Sequence, residues 1–400
     1  MSGTATRQSD YLQPIMAGAL AAVVGYASTF TLVLASLTAA GASPQQAGSG
    51  LMSVCIAIGI LNIVVSARVK LPVSFAWSTP GAAFILTVGE PIGGFPAVAG
   101  AFLVAAGLVL LTGLIKPLAR LIGAIPAPIA NAMLAGMLLT LCLAPINAVA
   151  ELPALALPIL LAWIIGLRFA RRYAVPIAVL VTGVLLATTT HLAPGALDGS
   201  WPVFVPVMPV FTLDAIVRIG LPLYIVTMAS QNLPGLAVMK ANGFELPPSP
   251  LFVITGIASA ATALLGGITS NLAAITAAIC AGPEAHPDKD KRWPAPISAG
   301  VVYLLLAPAA SLAAAFIAAS PPLLIQAVAG LALLSSLAAA LSGALASEET
   351  RLPAIFTFVT TASGITLVGV GAPFWGLVAG IAILLLLQMG IKPPVETTGK

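Results

Sequence analysis

Charge is what this sequence has least of. Of its 400 residues only 7% are Asp, Glu, Lys or Arg, against 60% hydrophobic. A soluble globular chain carries about 25% charged residues, so this one cannot cover its surface in water. The mean hydropathy of +1.10 points the same way. Histidine is equally scarce: His191 and His286 are the only two, and both fall between apolar runs. With no metal-ligand cluster, nucleophile elbow or phosphate loop in the pattern, the residues of an enzyme are missing, and no cofactor or metal is expected. The cysteines number three, Cys55, Cys142 and Cys280, each inside an apolar run. An odd count excludes a simple disulfide framework and leaves small-residue packing as their role. The alternating pattern of an outer-membrane barrel is absent too, and long apolar runs replace it. Nothing resembling a signal-peptide cleavage site follows the polar start at Met1–Asp10, so the first apolar run is expected to remain as a span. The pI near 9.1 does not signal nucleic acid, because the basic residues are scattered at the ends of apolar runs. That scatter is a topology signal.

What is present is a series of runs long enough to cross a bilayer as helices, about 20 residues each. They predict helices near 13–40, 46–67, 95–115, 126–143, 151–168 and 174–192, then 213–240, 249–266, 294–318, 321–341, 350–370 and 373–391. Two further stretches, 71–88 and 267–281, are apolar but too short or too broken for a clean helix. Counting them gives fourteen crossings, seven in each half, the first repeat being 1–192 and the second 213–391. Charge supports that count. With both termini cytoplasmic, the inner loops hold Arg68, Lys70, Lys116, Arg120, Arg168, Arg171, Arg172, Lys240, Lys289, Lys291, Arg292 and Arg351, with Lys392 and Lys400 on the tail. The outer loops hold Glu90, Glu151 and Asp198, and only Arg218 falls elsewhere. Dropping one broken stretch would invert every later loop and destroy the positive-inside bias.

The halves resemble each other. The stretch from Ala27 (ASTFTLVLASLTAAGA) sets against that from Ala229 (ASQNLPGLAVMKANGF), with Ala27/Ala229, Ser28/Ser230, Leu34/Leu236, Ala35/Ala237, Ala39/Ala241 and Gly41/Gly243 coinciding. STPGAAFI from Ser78 sets against TSNLAAIT from Thr269. An odd number of crossings per half places the second upside down, the inverted repeat of secondary transporters.

The broken stretches are the candidate site. Pro72 and Pro80 bracket an extended Val73–Ser78, Thr79 suits an N-cap and Pro80 a first helical turn. In the second half Gly266 and Gly267 break the chain, Ile268 and Thr269 extend, and Ser270 or Asn271 is expected to cap the next half-helix. Irregular backbone at membrane depth is tolerated only where protein buries it or it lines a cavity. Two half-helix N-termini facing each other near the bilayer centre make an anion site from backbone N–H groups and dipoles. The polar run Ser230-Gln231-Asn232 lies inside an otherwise apolar span and is expected to face the interior. Repeat symmetry sets Ser28, Thr29 and Phe30 opposite it. The expected substrate-binding set is therefore Ser28, Thr29, Phe30, Phe75, Trp77, Ser78, Thr79, Gly81, Ser230, Gln231, Asn232, Thr269, Ser270 and Asn271.

The segments QNLPGLAVMKANGF (231–244), PVSFAWSTPGAA (72–83) and GGITSNLAAITAAI (266–279) resemble those of the BenE-type benzoate/proton symporters, over nearly the whole chain. That resemblance implies a fold related to nucleobase permeases such as the uracil permease. It is an all-α polytopic membrane protein of seven plus seven segments, with segments 1–4 and 8–11 as core and 5–7 and 12–14 as gate. It implies import of benzoate or a similar aromatic carboxylate with a proton across a bacterial inner membrane. The expected partners are that carboxylate, the proton and the lipid bilayer, with a homodimer as the assembly allowed for. One departure stands out. The uracil-permease relatives carry a carboxylate on the eighth segment, where Ser230, Gln231 and Asn232 stand here, and no Asp or Glu lies deep in a span. Asp214 and Arg218, one helical turn apart near the end of that segment, read as a local ion pair. Proton coupling therefore rests on the resemblance. A passive anion channel or facilitator and a nucleobase/proton symporter stay open as alternatives.

Overall fold

The computed structural model describes residues 3–189, 201–318, 320–367 and 370–389. Among the described residues, six helices are long and apolar enough to cross a membrane: α1 (Gly3–Ala39, apolar from Tyr11), α2 (Pro44–Val69), α4 (Gly94–Leu114), α6 (Ala127–Glu151), α9 (Leu213–Ala241) and α14 (Pro322–Ala344). Shorter helices accompany them: α3 (Thr79–Val88), α5 (Lys116–Gly123), α7 (Pro153–Phe169), α8 (Ala174–Thr189), α10 (Pro248–Ala263), α11 (Ile275–Ala281), α12 (Pro294–Leu306), α13 (Ala309–Ala318), α15 (Glu348–Ala362) and α16 (Ala372–Met389). Each expected helix falls on one of these, except 294–318, which falls on two. The ends of the expected 174–192 and 373–391 extend past the described residues.

Two expectations fail at particular residues. The stretch 294–318 is not one rod: α12 and α13 meet at a 58° bend. Pro308 sits in the break, where it removes a backbone donor and its ring clashes with the preceding turn. Helix α15 stops at Ala362 instead of running to 370, because Gly364 takes a left-handed φ of 68° and the chain enters a small hairpin, β3 (Thr366–Leu367) against β4 (Val370–Gly371).

The first repeat match survives in backbone detail. Helices α1 and α9 end at Ala39 and Ala241, residues paired in the repeat alignment. Gly41 and Gly243, two residues beyond, both take left-handed φ, 94° and 81°. Only glycine adopts that conformation without steric cost, so both helices are stopped by the same device.

Helices α2, α12 and α13 pack around α1, and α4 packs on α10, while α6 packs on α14 and α15, α15 on α16, and α7 on α8. The two broken stretches meet inside the first group. There β1 (Phe75–Trp77) pairs antiparallel with β2 (Ser270–Leu272) in the register Phe75↔Leu272, Ala76↔Asn271 and Trp77↔Ser270.

Candidate functional site

The strand pair is held from both sides by buried polar side chains. Asn62 on α2, fully buried, clamps Phe75: its Oδ1 accepts the Phe75 N–H at 3.0 Å and its Nδ2 donates to the Phe75 carbonyl at 2.9 Å. Ser259 on α10 does the same for Ser270, accepting its N–H at 2.9 Å and donating to its carbonyl at 3.2 Å. Asn232 on α9 accepts the Leu272 N–H at 2.9 Å, so this residue is a strand tether. Thr227, fully buried, donates to Ser78 Oγ at 3.1 Å and lies 3.2 Å from Thr269 Oγ1. Backbone that water cannot reach must find partners within the protein. These side chains supply them.

Helix α3 starts as the sequence suggests, shifted by one residue. Ser78, not Thr79, is the N-cap, its Oγ accepting the Gly81 N–H at 3.1 Å, and Pro80 lies in the first turn. The Ser78 N–H is taken by the Thr269 carbonyl and Pro80 has none, so among the described residues the Thr79 N–H is left without an acceptor. Helix α11 departs further. Its N-cap is Ala274, and Ser270 and Asn271 cap nothing because they belong to β2. The Ser78–Thr269 alignment is therefore four residues out of register with the strands themselves. Helix termini leave the first N–H groups unpaired, and the first residues of α11, Ile275 and Thr276, line the same space as Thr79.

That space is a cavity of about 460 Å³, within the range of small-molecule sites. Of the expected residues it collects Ser28 and Thr29 from α1, Trp77 from β1, Thr79 from α3, and Ser230 and Gln231 from α9. Thr29 Oγ1 accepts the Trp77 indole N–H at 3.0 Å and donates to the Gly25 carbonyl at 2.9 Å, which fixes the indole plane. Tyr26 and Tyr303 meet Trp77 edge-on, with ring centroids at 6.0 and 5.7 Å. Ser230 Oγ is buried without a partner. The presentation of Ser230 and Gln231 follows from a local defect: residues Met228–Asn232 form a π-helical turn just before Pro234. Proline lacks the N–H that would bind the Ser230 carbonyl, and a widened turn accommodates its ring. Ile216–Gly220 precedes Pro222 in the same way.

The other expected residues lie elsewhere. Ser78, Thr269, Ser270 and Asn232 are buried in the strand network, and Gly81 is buried with its N–H engaged in the cap. Phe75 is fully buried behind the strand. Asn271 is also fully buried, its Nδ2 turned onto the Leu272 carbonyl at 2.8 Å and its Oδ1 unpaired, so the chain places no Asn271 amide in the cavity. Phe30 stacks on Tyr26 at 5.2 Å and lines a separate apolar cavity of about 430 Å³ between α1, α8, α13 and α14. Polar lining residues outside the expected set include Asn131 on α6, Arg171 between α7 and α8, Thr276 on α11, and Ser335 and Ser336 on α14. Their polarity within apolar runs is a signal for Asn131, Ser335 and Ser336, while Arg171 reads in the sequence as a loop charge alone. Arg171 is exposed, at the mouth, and is the sole charged residue among the described residues lining this cavity.

Comparison with known proteins decides what this architecture belongs to. The family model described as benzoate membrane transport protein (BenE) matches residues 9–386. The chain belongs to the BenE family. Within that family's range, the inner membrane protein YdcO of Escherichia coli K12 is 40% identical over 386 residues, covering 94% of this chain and 96% of that protein. The benzoate membrane transport protein of Acinetobacter baylyi is 34% identical over 386 residues, covering 96% of this chain and 97% of its own. In fold, the chain is similar to the transmembrane domain of the cyanobacterial bicarbonate transporter BicA, with a TM-score of 0.60 at 15% identity over 92% of this chain and 97% of that one. It is similar as well to SLC26A9, with a TM-score of 0.62 at 12% identity over 95% of this chain and 66% of that one. This BenE-family chain is thus a mostly helical, multi-pass membrane transport protein.

Proposed function

We propose that the chain imports benzoate or a similar aromatic carboxylate together with a proton, by alternating access across a bacterial inner membrane. The observation that carries this reading is the pairing, in one cavity, of the unpaired Thr79 N–H at the start of α3 with the fixed indole of Trp77. A helix N-terminus in a partly buried setting favours an anion by up to about 2 kcal/mol. An indole face accepts an aromatic ring in offset or edge-on contact. The carboxylate then lies at Thr79, with Gln231 and Ser230 beside it, and the ring lies against Trp77. No Lys or Arg is needed at that depth, and Arg171 at the mouth draws the anion in.

The described helices support fourteen crossings if α3 and α11 count with their strands, α12 with α13, and α7, α8, α10, α15 and α16 as short spans. Core and gate then correspond to the two packing groups, with α1–α4 and α9–α13 in the core and α6–α8 and α14–α16 in the gate. The cavity lies between them. Its mouth is on the side of the basic loops, so with both termini cytoplasmic this conformation faces inward.

Carrying one anion into a negative-inside cell is opposed by about 2.3 kcal/mol per 100 mV. A co-transported proton cancels that cost. With Ser230, Gln231 and Asn232 in place of a carboxylate, the substrate's own carboxyl brings the proton in this account, and the cycle is electroneutral. One observation favours a second reading, a passive anion facilitator: among the described residues lining the cavity there is no Asp or Glu. Competition among benzoate, uracil and chloride for uptake into proteoliposomes tests the substrate class. Inhibition of benzoate uptake by aromatic carboxylates but by neither uracil nor chloride supports the proposal, and dominance by uracil or chloride overturns it.

A further inference from the structure

Arg218 is the one basic residue that the loop pattern leaves on the side opposite the other cations. It lines a cavity of about 370 Å³ that is distinct from the main one, together with Gln326, Thr140, Thr87, Phe84 and Pro373. Four helices contribute to both cavities, with polar residues spaced along each. Helix α3 supplies Thr79 to the main cavity and Thr87 to this one, α6 Asn131 and Thr140, α9 Gln231 and Arg218, and α14 Ser336 and Gln326. At 1.5 Å per residue the members of each pair are about 12–20 Å apart along their helix. The second cavity therefore continues the same interhelical seam toward the other face.

Its chemistry suits a carboxylate. The Arg218 side chain is about a quarter exposed, and its guanidinium meets Asp214 through a single contact, Nη1 to Oδ2 at 3.5 Å. Asp214 Oδ2 also accepts the Ile92 N–H at 3.2 Å, which anchors the acid to the adjoining loop. A guanidinium offers five N–H donors in a planar fork matched to a carboxylate, so most of the fork stays available to a ligand. Phe84 and Pro373 supply apolar surface beside it, and Gln326 and Thr140 supply further donors.

We infer that the Arg218 cavity is a capture site for aromatic carboxylates on the face opposite the Arg171 mouth. The inference deepens the proposed function and rests on it for the identity of the ligand, so its test reads binding separately from flux. The purified full chain is treated with an arginine-specific phenylglyoxal reagent, and modification of Arg218 is read by mass spectrometry with benzoate or benzamide present. Protection of Arg218 by benzoate but not by benzamide supports the site, even in a preparation that shows no benzoate flux, which would count against the transport reading alone. Equal modification with and without benzoate overturns the site, even where benzoate flux is normal. In vesicles of defined orientation, Arg218→Gln is expected to raise the benzoate KM about ten-fold or more on the Arg218 face only, the fold-change of a lost charge-assisted hydrogen bond. Arg218→Lys recovers most of that loss, and Asp214→Asn leaves the KM at or below that of the unmodified chain. An equal rise on both faces, or an Asp214→Asn variant that reproduces Arg218→Gln, makes the pair a structural brace and overturns the inference.

Discussion

Replacing Asn62 by leucine tests whether the strand pair is a built platform or an incidental contact. Asn62 makes two hydrogen bonds to the Phe75 backbone, at 3.0 and 2.9 Å, and a third from Nδ2 to the Ile58 carbonyl at 2.8 Å. Side-chain hydrogen bonds within membrane bundles average about 0.6 kcal/mol, so counting the two strand bonds alone gives a loss near 1 kcal/mol. The greater cost lies in what remains behind. Leucine fills the volume but leaves the Phe75 N–H and carbonyl buried and unpaired, at about 1–3 kcal/mol each. Those orphaned groups dominate, and the expected destabilisation is about 2–5 kcal/mol. Asn62→Asp is expected to sit in this buried site as the neutral acid, still accepting the Phe75 N–H and donating through its carboxyl O–H, and so to fall between leucine and the parent. Thermal or denaturant unfolding in detergent, followed by tryptophan fluorescence, measures the ordering. A leucine variant within about 1 kcal/mol of the parent would show instead that β1 does not depend on its clamp.

Three further outcomes follow from the same geometry. Gln231→Ala is expected to raise the benzoate KM several-fold, whereas Asn271→Ala leaves it unchanged, since only the first of these side chains reaches the cavity; initial uptake rates over a concentration series separate them. Trp77→Phe keeps a ring but loses the indole bond to Thr29 at 3.0 Å, so binding is expected to weaken by about 1 kcal/mol, roughly five-fold in Kd by equilibrium dialysis. Gly81→Ala brings a methyl carbon to 2.7 Å from both Ser78 Oγ and Leu223 Cδ1, which forces the cap apart; a stability loss of about 1–3 kcal/mol is expected in the same unfolding assay.

The parts of this molecule that can be read from sequence are those governed by one residue's own chemistry. Apolar runs locate the helices, Pro72 and Pro80 mark the first broken stretch, and Gly41 and Gly243 mark matched helix ends. Thr79 and Trp77 are legible because a half-helix start and its preceding strand are local events. What escapes depends on packing between distant segments. Asn271 has the chemistry of a cap, yet its place is fixed by pairing with Ala76, which lies far away in the sequence. Helices such as α6 and α14 are apolar nearly all round, so no amphipathic stripe tells which face meets the cavity. Asn131, Ser335 and Ser336 stand out as polar within those runs, but nothing local tells that they meet the cavity. The π-helical turns at Pro222 and Pro234 are hidden too, since proline in a helix can be met by a kink, a break or a widened turn.

On the proposed function, this protein moves an aromatic carboxylate with its proton and without net charge. The most direct test is uptake of labelled benzoate into proteoliposomes, against protein-free liposomes as the control for permeation of the undissociated acid. An inward proton gradient is imposed while potassium and valinomycin set the membrane potential independently. Electroneutral symport gives saturable uptake above the control that rises as external pH falls and stays constant when the potential is changed at fixed pH gradient. Uptake that follows the potential, or that is indifferent to the pH gradient, would contradict it.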